Sequence, residues 1–463
     1  MTAMKTNLMG NTPNVVLIVL DSVRQDHLSC YGYARKTTPN LDRLAAEGTL
    51  FENAYSASCW TIPSHASLFT GLYPSQHRVD LDQPLIHPQH ETLAGHLKTL
   101  GYATACISCN SFAAGGGTNL NRDFDLTLDV DGGFARGTST LARGVRHLQK
   151  RWRAFIRRDR GADRATRLAR DWLGAQSGPF FLFMNYMDCH LPYRLRRPQR
   201  FQFIPPMERK RVSRIPLDPF AVMAGQLALK PREVAGIRAL YDGSLFYLDQ
   251  QIGRLVARLM DLGLYEQTIF LVTADHGESF GEHGLFDHQY GLYEHLLRVP
   301  LIARFPNGSL AGARIAHPIQ HVDLLPVLAR LLSGPSAGLD ETEYTFLREP
   351  LRSSVLAEYL APNLNAIRRR FPAADVSRYA TPLRAIHTQG YKLIARPDGR
   401  RELYDLVRDP EECDDLAAAK PEKAAALQAR LEEVLGPWPG SEPPAGLSLE
   451  KELKERLEAM GYL

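Results

Sequence analysis

A chain of 463 residues is long for one simple core and suits two unequal domains. Hydrophobic residues at 44% and charged residues at 23% are ordinary for a globular protein, which excludes the disordered and fibrous classes. The 55 Lys and Arg against 51 Asp and Glu leave a net charge of +4, which gives no electrostatic reason to expect a nucleic-acid partner, and none is expected.

The chain opens "MTAMKTNLMGNTPNVVLIVLDS". Its longest apolar run, Val15 to Leu20, is too short for a signal peptide or a membrane span, and no later stretch is long enough to cross a bilayer. The cysteines at 30, 59, 106, 109, 189 and 413 are scattered. They read as reduced thiols, and the protein is expected in the cytoplasm. "NVVLIVLD" is a continuous β-branched run, the mark of a strand buried on both faces, with Asp21 at its C-terminal end. "TTPNLDRLAAEGTLFENAYS" follows as a helix and a short strand. "HETLAGHLKTLGYATACIS" repeats that plan. Cys106 and Cys109 form a lone C-x-x-C, better read as small residues ending a strand than as half of a zinc site.

The Arg-rich segment 143–170 reads as a solvated helix, with a surface for an anionic substrate, lipid headgroup or nucleic acid as the sharper alternative. "PFFLFMNYMDCH" is an apolar strand that ends in polar residues. Segment 194–234 is loop-like and suits a lid or a homo-oligomer contact; with loop 110–140 it would shape a pocket. "LYDGSLFYLDQQIGRLVARLMDLGLYEQ" is a long amphipathic helix. "TIFLVTADHGE" and "VPLIARFP" are two more strands. Near residue 340 the pattern changes to short strands joined by turns and then an Ala-rich helix. The expected division is a catalytic domain over 1–340 and a smaller subdomain over 341–463. Alternating helices and apolar strands imply an α/β fold with a mostly parallel sheet. Ligands of such sheets bind beyond the carboxyl ends of the strands, where Asp21, Asp188 with His190, and Asp275 with His276 all fall.

Five stretches together resemble the sulfatase family of the alkaline phosphatase superfamily: "VLDSVRQDHLSCYGY", "TIPSHASLFTGLYPSQH", "FFLFMNYMDCHLPY", "TADHGESFGEHGLFDHQYGLYEHLLRVPLI" and "YKLI…ELYDLVRDPEE". They come in family order and cover nearly the whole chain. The resemblance implies an alkaline-phosphatase-like sheet flanked by helices, with a smaller C-terminal α+β subdomain. Sulfatases take their nucleophile from C-x-P-S-R, whose cysteine is oxidised to formylglycine. Here Pro63 and Ser64 anchor the motif, Thr61 stands in the cysteine's place, and His65 replaces the arginine. Cys59 falls two residues too early and reads as a packed side chain. No formylglycine is therefore expected, and the resemblance makes Thr61 the nucleophile. A bound divalent cation would lower the pKa of its hydroxyl.

The same comparison implies a metal set of Asp21, Thr61, Asp275 and His276 around one divalent ion. A calcium sulfatase carries a further aspartate and often an asparagine where this chain has Ser22 and His276. Trading a carboxylate for an imidazole disfavours calcium and favours manganese or zinc over magnesium. Two-zinc relatives need extra His and Asp ligands, for which Asp188 and His190 are candidates. His190 and His288 match positions that contact the anionic group or the leaving oxygen, and His65 is a third such contact. Asp82 and Asn110 are expected to reach the substrate. Glu282 and His283 are expected to be structural.

The implied activity is that of a metal-dependent phosphoesterase or phosphotransferase, acting on a small or headgroup-like anionic ester through a phosphothreonine. A sulfate-ester hydrolase without formylglycine is the alternative. A non-catalytic binding protein of the same fold is disfavoured, because Asp21, Thr61, Asp275 and His276 are all chemically competent.

Overall fold

The computed structural model describes residues 12–115, 117–130, 159–193, 195, 198–333 and 341–439. Its centre is an eight-stranded sheet. From edge to edge the strands are Ala313–Ile315, Thr49–Phe51, Leu301–Arg304, Thr268–Thr273, Asn14–Leu20, Phe180–Tyr186, Ala103–Ser108 and Leu126–Asp129. All run parallel except Leu301–Arg304, which is antiparallel to both of its neighbours. The central three are buried along their whole length, as their unbroken apolar sequences require. Each buried Val, Leu or Ile contributes roughly 1.5–3 kcal/mol.

Register does the functional work. Leu20 pairs with Tyr186, and Val19 with Thr273, so the three central strands end level. Asp21, Asp188 and Asp275 therefore leave the sheet along one edge. The helix Thr61–Thr70 runs behind this edge, and all ten of its residues are buried. Pro63 is tolerated there because the first-turn N–H groups have no intrahelical partner to lose. Gly71, at φ +70°, ends the helix with an N–H bond to the Ser67 carbonyl. The helix Pro231–Asp261 spans the sheet, and its Asp249 carboxylate accepts from the Asn40 and Leu41 N–H groups at 3.0 and 2.8 Å. That bond caps the helix Pro39–Glu47 from outside.

A second, antiparallel sheet follows in the order Val355–Tyr359, Leu383–Thr388, Tyr391–Ala395, Arg401–Asp405, with the helix Pro421–Leu435 packed on it through Ala424, Leu427 and Leu431. Lys392 from this sheet is buried between two carboxylates, 3.0 Å from Glu294 and 2.8 Å from Glu412. The pair ties the C-terminal sheet to the segment that carries Asp275, His276 and His288.

Two expectations change in detail. Segment 194–234 is not plain loop: its described residues include the helical turns Arg209–Val212 and Pro219–Met223, and the long helix starts inside it at Pro231. Most of the Arg-rich segment lies outside the described residues. Its last part forms the helix Ala162–Leu173, which buries Ala165, Ala169 and Leu173. Among the described residues no helix is long and apolar enough to cross a membrane.

Gly277 follows His276 at a point of close approach. A Cβ there would lie 1.9 Å from the His295 carbonyl oxygen, and the Gly277 N–H donates to Leu296 at 2.8 Å. Gly277→Ala should destabilise the protein by more than about 2 kcal/mol, since backbone cannot yield as a side chain can. Urea denaturation measures this, and a change below about 0.5 kcal/mol would contradict the packing described.

Candidate active site

Asp21, Asp275 and His276 are fully buried, and each brings one ligand atom to within 4.8 Å of the others. Their surroundings fix them. Asp21 Oδ2 accepts from the Asn110 amide at 2.8 Å, and Asp21 Oδ1 from the Ser22 hydroxyl at 3.1 Å. Asp275 Oδ1 accepts the N–H groups of Ser22 at 3.2 Å and His276 at 2.9 Å. Ser22 reaches it by adopting φ +61°, a left-handed backbone uncommon outside glycine. Asp275 Oδ2 is buried with no hydrogen-bond partner among the described residues, 3.4 Å from His276 Nε2 and 3.6 Å from His65 Nδ1.

Burial and the Asp21 charge push the Asp275 carboxyl well above its usual range. Burial would raise Asp21 as well, but His190, His276, the Asn110 amide and His288 outweigh it and hold that carboxyl at about 2. Burial and the neighbouring His288 push His276 down to about 3, so its imidazole is neutral. His276 Nδ1 faces the Gly277 carbonyl at 2.9 Å and donates to it, which leaves the Nε2 lone pair directed inward.

Thr61 is the first residue of its helix, and its Oγ1 lies 3.4 Å from His276 Nε2. No side chain caps this helix start. The helix dipole at this end favours an anion. Cys59 is fully buried, and desolvation pushes its thiol up to about 12, so it stays protonated. Its thiol meets the backbone of Gly291 and Gln289. The buried thiol is inert and the adjoining hydroxyl faces the ligand cluster.

His190 and His288 join the same pocket. Their rings meet edge-on at 4.8 Å, and His288 stacks on His276 at 4.5 Å. Burial and His288 lower His190 to about 4. Burial would lower His288 too, but Asp287, 2.6 Å away, raises it instead. His65 is turned toward the protein: Nδ1 donates to the Thr61 carbonyl at 2.9 Å, and Nε2 lies 3.5 Å from the Asn185 amide. Asn110 meets the cluster through Asp21. Asp82 is exposed on a bend, where its N–H donates to Asp80 at 2.9 Å, and it joins neither metal-capable group among the described residues. The Asp188 carboxylate accepts from the Arg160 N–H at 3.0 Å and belongs to neither metal-capable group among the described residues. Glu282 accepts from Arg24 and Arg238, each at 2.7 Å, and His283 stacks on Tyr293 at 3.7 Å. Cys106 is buried within its strand and Cys109 just past its end, and among the described residues neither joins a metal-capable group.

Two residues beyond the motif comparison enter the pocket's surroundings. Asp287 pairs with His288, and the fully buried Glu278 accepts from the Tyr193 hydroxyl at 2.9 Å. Burial raises the Glu278 carboxyl well above its usual range. Asp287 adjoins His288 in "FDHQY", and that adjacency was the one available signal.

Residues 13–334 match the sulfatase family. The chain belongs to the sulfatase family. Among its relatives, arylsulfatase K of Bos taurus is 26% identical over 473 aligned positions, covering 92% of this chain and 82% of the relative. An arylsulfatase of Clostridium perfringens is 27% identical, covering 87% of this chain and 90% of the relative. The crystal structure of the phosphonate monoester hydrolase of Agrobacterium radiobacter superposes with a TM-score of 0.68 at 21% identity, covering 92% of this chain and 95% of that one. The last similarity shows a shared fold. The family is one of hydrolases acting on ester bonds, typically metal-dependent.

This sulfatase-family site fits a divalent cation on its own chemistry. Two buried carboxylates converge, one of their oxygens lacks any hydrogen-bond partner, and a neutral imidazole and a hydroxyl face the same point. Asn110→Ala frees Asp21 Oδ2 from its outer partner and should weaken metal affinity about 10–100-fold. Asp275→Asn removes a ligand charge and should weaken it more. Metal titration monitored by calorimetry checks both, and unchanged affinity in Asp275→Asn would remove that residue from the site.

Proposed function

We propose that this protein is a metal-dependent phosphoesterase or phosphotransferase in which Thr61 is the nucleophile. The observation that carries the reading is the placement of Thr61 Oγ1, at the uncapped start of a buried helix and 3.4 Å from His276 Nε2, while the Cys59 thiol is buried and protonated. Asp21, Asp275, His276 and Thr61 would hold the ion. Manganese or zinc suits that mixed oxygen and nitrogen set better than calcium. Once bound, such an ion lowers the pKa of the Thr61 hydroxyl and neutralises ester charge.

The chain's own groups do the rest. The helix start gathers the ester's anionic oxygens. Thr61 gives up its hydroxyl proton to solvent as Oγ1 forms a bond to phosphorus and the ester P–O bond breaks, and the leaving oxygen takes a proton from His288. His190 and His288 line the pocket for the anionic group and its leaving oxygen. Water or an acceptor alcohol then attacks phosphorus and releases Thr61. His65, bonded to the Thr61 carbonyl, keeps the first helical turn in place.

A threonine ester carries one oxygen on its β carbon, so it clears only by attack on the central atom. That argument favours phosphorus over sulfur. Sulfate-ester hydrolysis is the second reading, favoured by the arylsulfatase names of the relatives. A small anionic ester fits both.

Metal-stripped protein reloaded with Mn, Zn, Mg or Ca should be assayed on aryl phosphate mono- and diesters, phosphonates and sulfates. Phosphorus esters should be turned over fastest, with Mn or Zn above Ca; faster sulfate turnover selects the second reading. Thr61→Ala should lose several orders of magnitude in rate while it still binds metal through Asp21, Asp275 and His276. Thr61→Ser should keep measurable activity. Cys59→Ala should change the rate by less than about tenfold. A dead Cys59→Ala beside an active Thr61→Ala would overturn the assignment.

A further inference from the structure

Away from the ligand cluster, positive charge gathers on the segment "PPMERKRVSRIP", residues 205–216. It holds Arg209, Lys210, Arg211 and Arg214 against the single acid Glu208, while the whole chain carries only +4. The segment winds through the short helical turns Pro206–Glu208 and Arg209–Val212. Val212 and Ile215 form its inner face. Both are buried on the long helix at Gly236, where a Cβ would lie 2.9 Å from Ile215 Cδ1 and 3.1 Å from Val212 Cγ2. That seal leaves Arg209, Lys210 and Arg214 exposed on the outer face. Arg211 donates to Glu208 at 2.7 Å and to the Arg232 carbonyl at 3.4 Å, which brings a further exposed arginine into the group. Lys210, Arg214 and Arg232 have no ion pair or side-chain hydrogen bond among the described residues.

The turn and the helix border an open cavity of about 500 Å³, lined by Met207, Lys210, Arg211, Arg214, Ile215 and Glu233. Glu233 is turned to the helix start, where it accepts the Lys230 N–H at 2.8 Å. Cations held together without counter-charges attract an anion. The chemistry of its carrier follows from Met207, which stands 88% exposed beside them, just after Pro205 and Pro206. A protruding apolar side chain among cations suits a membrane interface, where the cations meet lipid phosphates and the apolar group meets the acyl boundary. A single-stranded nucleic acid calls instead for exposed aromatic rings, and the nearby Phe201, Phe203 and Phe220 are half-buried.

The patch also has a telling place. The helix Pro231–Asp261 leads through a short turn into the strand Thr268–Thr273 and runs against it, so its start lies at the edge where Asp275 leaves the sheet. Arg238, two residues past Gly236, donates to Glu282 at 2.7 Å, within the segment that joins His276 to His288. We propose that Met207, Lys210, Arg214 and Arg232 dock this protein on an anionic phospholipid surface, with a lipid phosphate taken into the cavity. Docking there brings the site's edge of the molecule close to lipid headgroups. The inference goes beyond the reaction and does not depend on which ester the site cleaves.

The test is co-sedimentation of the full-length protein with vesicles of phosphatidylcholine alone and of phosphatidylcholine mixed with phosphatidylglycerol in equal parts. The protein should bind the mixed vesicles and not the neutral ones, and added salt should release it, because exposed charges are screened. The combined variant Lys210→Ser, Arg214→Ser and Arg232→Ser, at an unchanged melting temperature, should bind about 100-fold more weakly, at about fivefold per cation. Met207→Ser leaves the charge unaltered and should still weaken binding several-fold. Wild type that ignores the mixed vesicles at low salt overturns the proposal, and that result decides even if a variant fails to fold. Equal binding by wild type and the folded triple variant also overturns it, because the contact would then lie elsewhere. A DNA oligonucleotide held through these cations by a protein that leaves the vesicles alone overturns it in favour of a nucleic-acid partner.

Discussion

Two carboxylates, Asp21 and Asp275, are buried within ligand distance of each other, and most of the site answers to that fact. Two unit charges about 4 Å apart repel by about 4 kcal/mol even at an effective dielectric of 20. The protein splits the burden unequally. Asp21 receives the Asn110 amide and the nearby imidazoles and stays ionised. Asp275 receives two backbone N–H groups on one oxygen, and its other oxygen has no hydrogen-bond partner. The raised Asp275 carboxyl answers that repulsion by favouring its protonated form.

The sheet explains why the two acids meet. Parallel strands of matched length deliver whatever follows them to one edge, and here Asn14–Leu20 lies between Phe180–Tyr186 and Thr268–Thr273 with their ends level. The acids need no specific attraction to find each other; the register imposes the encounter, and apolar burial along the strands provides the free energy. Thr61 arrives separately, on a helix whose first turn is anchored by His65 and whose polar end is turned toward the same edge.

This division decides what could be read from the sequence. The strands, the α/β class and the gathering of Asp21, Asp275 and His276 at one sheet edge were legible because long apolar runs end abruptly in charge; the metal reading of those three came from the motif comparison. The motif comparison was needed for Thr61, since a threonine before a proline looks like any helix start. Asn110 was legible as a pocket residue, but its bond to Asp21 depends on Asn110 lying just past the strand Ala103–Ser108, beside Asn185. Asp287 was not legible. It stands in the two-residue strand Phe286–Asp287, and its place is set by left-handed backbone that no periodicity announces. Asp82 shows the opposite case: a motif-aligned position carried onto an exposed turn by a segment with little regular structure.

The C-terminal sheet gains its meaning from the same loop. Lys392 is a buried cation placed between Glu294 and Glu412, and Glu412 also accepts the Glu294 N–H at 2.6 Å. Burying three charges costs desolvation that their mutual attraction only partly offsets, so the cluster is a poor source of stability. Its value lies in position. It fixes Glu294 two residues before Leu296, whose carbonyl holds the Gly277 N–H directly after His276. Tyr290 and Tyr359 brace the other end of the loop, around His288. The antiparallel sheet and the Asn363 segment beside it thus brace the loop that carries His288, which strand register alone does not orient.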